Sequence, residues 1–378
     1  VALNSRLANH LGAHIGDSVI IRVDTPGTIS RDLPVGTPDE SATALRLKVS
    51  QILHPEAFGH FSLRAEQTLP MNAFIARDML TEKLDAVGQA NLILAANATS
   101  PALAADVAAT HKADRTLTPK SVLNSATIKD ALRSVWTPED AGLSLHPLDD
   151  GSLELRSQRV FLEDRVVQAA HQASDEANTV LTYFVNTIDA TTNATPYSFV
   201  AGIENASLTD NMPDDGIVVN HWLADDLQLS PGDAVELHYY AINAQNRLTE
   251  TNHAFHVHAI VRITGEANDP SLMPAFPGLL DVDNCRDWDP GMPLDLKRVR
   301  DKDEAYWDNH RGTPKAFVTL PAARTMWSNR HGTATGVRFP YQADASVDLL
   351  ADILMRLHPG DVGMRILPVL ETGLRASR

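Results

Sequence analysis

The stretch Val218–Tyr240, VVNHWLADDLQLSPGDAVELHYY, predicts a short helix followed by a tight turn and a strand. Leu223, Ala224 and Leu227 form a narrow apolar stripe with the spacing of a helix. The Pro-Gly-Asp that follows is typical of a turn. From Val235 onward apolar and polar residues alternate, which indicates a half-buried strand.

The same pattern opens the chain, as LNSRLANHLGAHIGDSVIIRV from Leu3 to Val23. Identical residues recur in the two stretches in the same order and without a gap. The matched pairs are Asn4 with Asn220, Leu7 with Leu223, Ala8 with Ala224, Leu11 with Leu227, Gly16-Asp17 with Gly232-Asp233, and Val19 with Val235. One supersecondary unit is therefore expected to occur twice.

The similarity continues beyond this unit. A returning strand at 45–53 corresponds to 254–263, and AFI at 73–75 corresponds to AFV at 316–318. Each of these is followed by a helical pattern and then by an apolar run. The two runs are NLILA (91–95) and TGVRF (335–339), and both are predicted to be strands.

Other segments have no partner in the repeat. A hairpin, a helix and two strands are predicted over 143–203, ahead of the second copy, and an insertion covers about 265–315. Nothing comparable precedes Val1, so the natural protein is expected to extend upstream. Ser100-Pro101 and Thr118-Pro119 each predict the start of a helix between the two copies, the second running to about Ser134.

Composition limits the possible functions. The chain has 378 residues and a net charge of −16, which disfavours nucleic acid and anionic lipid as direct partners. Its single cysteine, Cys285, excludes an intrachain disulfide. The longest apolar runs are far shorter than the roughly 20 residues of a transmembrane helix.

Several phrases resemble the extracytoplasmic domain of an FtsX-like or MacB-like ABC transporter permease. The family's inserted subdomain tends to open with LN..LA..LG...GD.V.I, and this chain carries that phrase at Leu3–Ile21 and again at Val219–Leu237. Asp303–Pro340 resembles the return into the second half of the family's porter-like subdomain. LSLHPLDDGSLELRSQRVFLED, from Leu143, resembles its first half, and the C-terminal VGMRILPVLETGLRAS would lead into a transmembrane helix.

The resemblance implies an α+β fold with two related modules. In each, porter-like βαβ units would accompany a small inserted mixed α/β subdomain. The expected boundaries are 1–112 for the first, N-terminally truncated module, 113–142 for a helical linker, and 143–378 for the second module. Within the second module, a small subdomain at about 216–315 would separate two porter-like halves, 143–215 and 316–378.

The resemblance also implies a non-catalytic role on the periplasmic or extracytoplasmic side of the membrane. A separate cytoplasmic ATPase subunit would hydrolyse ATP, and the missing transmembrane part would transmit the motion to this domain. The other implied partners are a periplasmic protein or lipid-linked substrate and a second copy in a homodimer. No G-x-x-x-x-G-K-[ST] loop is present, so no nucleotide cofactor is expected, and no residue is assigned a catalytic, cofactor or metal role.

A metal site is one alternative. His256 and His258, in NHAFHVHAI, would share one face of a strand, and such a pair can chelate zinc. The competing interpretation is a solvated strand face in a chain that carries 15 histidines. A metal-dependent hydrolase would need a third ligand, which the sequence does not identify.

A second candidate is the acidic loop Asp281–Asp289, which also contains Asp283 and Asp287. Clustered carboxylates suit Ca²⁺, but the spacing does not fit an EF-hand loop, and an acidic solvated loop is the competing interpretation. The surrounding insertion carries four large aromatic residues, which favour either a contact surface or a small core that holds the loop in place. These are Phe276, Trp288, Tyr306 and Trp307.

Catalytic interpretations of other residues have little support. Asp17 and Asp233 follow glycine in the repeated turn, where a carboxylate is expected to bind turn amides. Cys285 has no neighbouring residue in sequence that indicates activation. Beside the permease hypothesis, the sequence leaves open a stand-alone extracytoplasmic binding or adaptor protein.

Overall fold

A computed structural model describes ten segments of the chain: 1–24, 42–64, 68–96, 123–242, 247–276, 278–279, 282–288, 292–340, 346–369 and 372. They belong to two compact units. Of the described residues, those up to 135 and from 365 onward belong to the first unit, and those from 136 to 364 belong to the second. The boundary at 135 lies inside the predicted linker. The helix predicted from Ser100 lies outside the described residues.

The first unit contains short strands and helices. Its strands are β1 (Ala2–Asn4), β2 (Ser18–Asp24), β3 (Ala42–Lys48), β4 (Gln51–Leu53) and β5 (Ala73–Phe74), and its helices are α1 (Ser5–Leu11), α2 (Arg77–Lys83) and α3 (Ser125–Arg133). The strands form a three-stranded sheet in the order β4-β1-β5 and a separate antiparallel ribbon, β2-β3. Helix α3 confirms the end of the helix predicted from Thr118.

The second unit is larger and contains the remaining elements. Its strands are β6 (Leu143–Pro147), β7 (Leu153–Ser157), β8 (Asn178–Asp189), β9 (Ala194–Ile203), β10 (Gly216–Asn220), β11 (Ala234–Ile242), β12 (Leu248–Val261), β13 (Ala316–Thr319) and β14 (Gly336–Phe339). Its helices are α4 (Pro138–Ala141), α5 (Asp164–Ala173), α6 (His221–Leu227), α7 (Asp301–His310), α8 (Leu320–Trp327) and α9 (Ser346–Arg356). The elements predicted over 143–203 and after 316 are thus confirmed, as is a mixed α and β composition.

Six strands of the second unit close into a barrel. They run in the order β11-β12-β10-β13-β9-β8, and β8 then pairs antiparallel with β11. Strand β8 is buried along almost its whole length, and its buried residues include the polar Thr179, Thr182, Asn186 and Thr187 as well as apolar side chains. Leu181, Phe184, Leu237 and Phe255 belong to the buried core of this barrel. Closure leaves these six strands without a free edge.

The sheet continues beyond the barrel through β14, β7 and β6. Helices α5 and α9 belong to a second apolar cluster there. Val166 and Ala170 of α5 lie in that cluster with Leu155 of β7 and Ile353 of α9. The amphipathic spacing of both helices is therefore explained by one shared core.

A separate inserted subdomain at 216–315 is not confirmed. Strands β10, β11 and β12 come from this segment, yet they share the barrel with β8 and β9 on one side of the sequence and β13 on the other. These strands pair with strands that are distant in sequence, so the segment 216–315 is part of one continuous sheet and not a separate insertion. The porter-like architecture likewise remains a prediction.

The repeated stretch folds in the same way both times. In each copy an asparagine caps the helix: Asn4 Oδ1 accepts from the Leu7 amide, and Asn220 Oδ1 accepts from the Leu223 amide, both at 2.9 Å. The two side-chain amides also donate to backbone or side-chain oxygens, and both residues are completely buried. Capping of this kind fixes where a helix begins.

The turn that follows the helix is also the same. Gly16 has φ 97° and Gly232 has φ 95°, a region that glycine adopts without strain. Asp17 and Asp233 each accept a hydrogen bond from a backbone amide three residues earlier, at 2.8 Å. The structural interpretation of the two aspartates is therefore confirmed.

Strand pairing extends the match. Leu3 lies opposite Ala73 in the first copy, and Val219 lies opposite Ala316 in the second, so the predicted correspondence of AFI and AFV is confirmed. In both copies the strand before the helix also pairs in parallel with the returning strand, which is β4 in the first and β12 in the second.

One predicted strand is wrong. NLILA at 91–95 contains no strand, whereas its counterpart forms β14 between β7 and β8. Leu92, Ile93 and Leu94 are all exposed. A strand needs hydrogen-bonding neighbours, and the described residues of the first unit contain no strands equivalent to β7 and β8.

Candidate functional site

The histidine pair lies on the outer face of the barrel. His256 and His258 are exposed on β12, where they alternate with the buried Phe255 and Val257. They share a face, as predicted. Within the described segments, no three His, Cys, Asp or Glu side chains come together in a geometry suited to a metal ion. The pair thus has no third ligand in that part of the chain.

The acidic loop is only partly described. Asp281 and Asp289 lie outside the described residues. Asp283 is fully exposed and lies 3.4 Å from the Arg311 guanidinium, and Asp287 is exposed at the end of a short 3₁₀ turn. These contacts are those of a solvated surface loop.

The aromatic residues of the insertion are buried. Phe276, Trp288, Tyr306 and Trp307 are at most 6% exposed. Trp288 packs edge-on against Phe184 of β8, with ring centroids 5.7 Å apart, and against Trp307 at 5.0 Å. Of the two interpretations left open by the sequence, the structure selects the internal core over a contact surface.

Cys285 is part of the same core. It is 3% exposed, and burial raises the pKa of its thiol to about 12. At neutral pH the thiolate needed for nucleophilic chemistry is therefore almost unpopulated.

The most unusual ionisable group is Lys315, which sequence reasoning missed. It immediately precedes β13 and is 4% exposed. Its ammonium lies 4.4 Å from the ring centre of Trp222, 4.9 Å from that of Tyr306, and 3.9 Å from a carboxylate oxygen of Asp303. Burial lowers the pKa of Lys315 to about 8, and the Asp303 carboxylate offsets part of this effect. Cation–π contacts replace some of the lost hydration.

Asp303 connects Lys315 to a larger ionic cluster. The Arg300 guanidinium binds Asp303 at 2.6 and 2.7 Å and also binds Asp226 of α6 at 2.7 Å. The Thr195 hydroxyl donates to Asp226 at 2.6 Å, and the Lys302 ammonium contacts the same carboxylate. The cluster fastens the start of α7 to α6 and to the beginning of β9.

A small cavity adjoins Lys315. Its volume is about 20 Å³, and Ser198, Trp288 and Trp307 contribute to its lining. The Ser198 hydroxyl and both indole nitrogens have no hydrogen-bond partner among the described residues. A cavity of this size holds about one water molecule, and buried water normally binds such unpaired groups. It has no room for an organic substrate.

An open cleft of about 370 Å³ lies next to it. Its lining residues are Trp222, Lys302, Ala305, Tyr306, Asn309 and His310. The volume is within the range of small-ligand sites. Its one ammonium, that of Lys302, already pairs with Asp226. The cleft therefore offers aromatic walls and no unpaired charge to select a ligand.

The first unit presents a different kind of candidate site, which is an unfilled apolar surface. Leu11 is 55% exposed, whereas its counterpart Leu227 is 2% exposed. Ile93 is 76% exposed, whereas Val337 is completely buried. In the second unit α6 packs against β9. No strand equivalent to β9 is present in the described part of the first unit.

No known protein family and no curated protein matches this chain. Among the described residues, no helix has the length and apolar character that crossing a bilayer requires. The basis for a functional proposal is therefore the geometry of the two copies together with the sequence resemblance.

Proposed function

We propose that this chain is the non-catalytic extracytoplasmic part of an ABC transporter permease of the FtsX-like or MacB-like kind. It would couple ATP hydrolysis in a cytoplasmic subunit to the movement or hand-over of a substrate or partner outside the membrane. The observation that carries the proposal is the phrase on which the resemblance depends. It occurs twice and folds twice into the same capped helix, glycine turn and strand.

The architecture of the second unit also supports a mechanical role. A closed barrel has no free edge at which its strands can separate, so it can transmit a displacement as one body. Lys315 and Cys285, whose pKa values are strongly shifted by burial, lie inside the packed core. Their contacts are suited to holding α7 on the barrel rather than to meeting a substrate.

The location can be tested with the exposed His256. Cys285 is the only cysteine of this chain and is buried, so this part of the wild type gives a low background, and the unsubstituted full-length protein measures any other labelling. The natural full-length protein with His256→Cys should react in intact cells with a maleimide that does not cross the cytoplasmic membrane. Labelling that appears only after lysis would place this region in the cytoplasm and contradict the proposal.

Membrane attachment distinguishes the permease from a stand-alone adaptor. The full-length protein should stay in the membrane pellet after an alkaline wash and should co-purify with an ATPase subunit. Release of a labelled His256→Cys protein by the wash would instead identify a soluble extracytoplasmic binding protein.

A further inference from the structure

The small cavity beside Lys315 is lined by hydrogen-bond donors. The Ser198 hydroxyl and the indole nitrogens of Trp288 and Trp307 are buried, belong to residues that line the cavity, and have no hydrogen-bond partner among the described residues. An indole N–H can only donate, and an ammonium carries three donors and no acceptor. The Lys315 side chain is part of the same lining. What these groups lack is therefore an acceptor.

The nearby carboxylates do not fill that role. Asp303 lines the cavity, but the Arg300 guanidinium binds its oxygens at 2.6 and 2.7 Å, and the Lys315 ammonium is 3.9 Å away, beyond the length of an ordinary hydrogen bond. Glu304, further along α7, accepts from the Arg286 amide at 3.2 Å and is not among the lining residues. Neither carboxylate serves the unpaired donors.

The ionic cluster around the cavity has more cations than carboxylates. Its cations are Arg300, Lys302 and Lys315, and its carboxylates are Asp226 and Asp303. Three cations thus share two carboxylates, and one positive charge has no counterion within the cluster. Both carboxylates and Lys315 are buried, and a net charge in such surroundings is costly unless it is paired.

We propose that the cavity beside Lys315 binds one halide ion, in particular chloride. The ion accepts hydrogen bonds from the ammonium and from the unpaired donors, and it supplies the negative charge that the cluster lacks. The volume of about 20 Å³ suits a single particle of this kind, since a chloride ion is only slightly larger than a water molecule. A water molecule is neutral and has two hydrogens that themselves need acceptors, so it meets these demands less well.

The ion would hold the start of α7 on the barrel, because the groups that it contacts come from β9, from α7 and from the residue before β13. This inference goes beyond the proposed function, since it requires neither a membrane nor a partner. Loss of the chloride effect described below leaves the labelling experiment unaffected, and failure of the labelling experiment leaves the chloride effect unaffected.

The first measurement is urea unfolding of this chain at constant ionic strength, with sodium gluconate replaced stepwise by sodium chloride. Gluconate is too large for the cavity, and tryptophan fluorescence reports the second unit. Above the Kd, each tenfold increase in chloride should raise the folded-to-unfolded ratio about tenfold, as expected for one ion bound only by the folded state. A ratio that stays constant up to about 0.5 M chloride would overturn the proposal.

Substitution of the lysine locates the effect. Lys315→Met removes the ammonium and should abolish the dependence on chloride. Lys297→Met, at an exposed lysine of the same unit, is the matched control and should retain it. A chloride dependence that persists in Lys315→Met would place the ion elsewhere and contradict the proposal.

Substitution of a donor gives a second test that keeps every charge. Ser198→Ala should weaken chloride binding about fivefold, which corresponds to the loss of one hydrogen bond. Thr182→Val is the control, because it removes another buried hydroxyl without a partner among the described residues, at a position outside the lining of the cavity. Equal effects of the two substitutions would overturn the proposal, even if Lys315→Met fails to fold.

A heavier halide locates the ion directly. In crystals of this chain soaked in sodium bromide, anomalous scattering should place one bromide within hydrogen-bond distance of the Ser198 hydroxyl and the Lys315 ammonium. Bromide found at exposed side chains and not in the cavity would be an adventitious ion only and would overturn the proposal.

The ion should also shift the titration of Lys315. Burial lowers the pKa of this ammonium to about 8, and a neighbouring anion favours its charged form. The rise in stability with pH should therefore begin at a higher pH in chloride than in gluconate, and identical profiles in the two salts would contradict the proposal. The other titratable or charged groups around this ammonium are Asp303, Arg300, Lys302, Cys285, Tyr306 and His310.

Discussion

The two copies of the repeated unit follow the same backbone path but differ in what covers them. Asn4 and Asn220 are both completely buried and make corresponding hydrogen bonds. Leu11 and Leu227 occupy the same helical position, yet one is exposed and the other is buried. The difference teaches that this local sequence determines the path of the chain, whereas burial depends on strands that come from elsewhere.

The largest expected effect separates the two leucines. Leu227→Ala should lower the free energy of unfolding of the second unit by about 2–5 kcal/mol, because it leaves a cavity in a packed core. Leu11→Ala should change the first unit by less than about 0.5 kcal/mol, because the side chain is already in water. All five tryptophans lie within 136–327, so tryptophan fluorescence in urea reports the second unit alone.

Hydrogen exchange in α1 provides the measurement for Leu11. A loss of protection as large as that caused by Leu227→Ala would mean that Leu11 is buried in solution. The comparison of an open with a closed copy would then fail.

A smaller and equal effect is expected at the caps. Asn4→Ala and Asn220→Ala should each cost about 1–3 kcal/mol, because each removes a helix cap and two further hydrogen bonds at a buried position. Exchange rates of the α1 and α6 amides measure the two costs in one experiment. A cost in one copy only would show that the shared backbone path has different causes in the two units.

The smallest effect concerns pH. In the first copy, the position that corresponds to Lys315 is occupied by Asn72, which immediately precedes β5 and is half-buried. The folded pKa of Lys315 is about 8, below the ordinary value of 10.5. The unfolded chain therefore holds this proton more tightly, so stability from Lys315 is constant below pH 8 and rises between pH 8 and about 10.5.

Comparison with Lys315→Met isolates this contribution. From pH 7 to pH 9 the wild type should gain about 1 kcal/mol relative to the variant in urea unfolding followed by tryptophan fluorescence. The raised pKa of Cys285 acts in the opposite direction above pH 9, but this thiol is present in both proteins. Lys297→Met, at an exposed lysine of the second unit, is the control and should produce no pH-dependent difference. A constant difference between wild type and Lys315→Met would show that the ammonium is hydrated.

The sequence predicted most of the local helices, turns and strands, but it did not predict which distant strands pair with each other. The glycine turns and the alternation after Val235 are encoded within a few residues, and the structure confirms them. The caps formed by Asn4 and Asn220 are equally local, but they were not predicted. NLILA was predicted to be a strand because its composition matches that of one. It is not a strand, because the described first unit offers no neighbours equivalent to β7 and β8.

The candidate site was less accessible to prediction. Lys315 lies between a proline and a buried strand, a context that does not distinguish it from a surface lysine. Its pKa is low because the side chain is buried, and the residues that cover it include Trp222, which is 93 residues away in sequence. The aromatic residues of the insertion were identified, but their burial was left open.

The sequence by itself determined the repeat, the helix boundaries, the turns and the faces of the strands, because these depend on dihedral preferences and on contacts between near neighbours. Only the tertiary structure decided that β8 pairs with β11 and that Lys315 is desolvated. It also decided that the barrel of the second unit is closed, whereas β2 and β5 of the first unit each have a single partner strand among the described residues. The reason is that strand pairing and desolvation are set by groups brought together from distant parts of the chain.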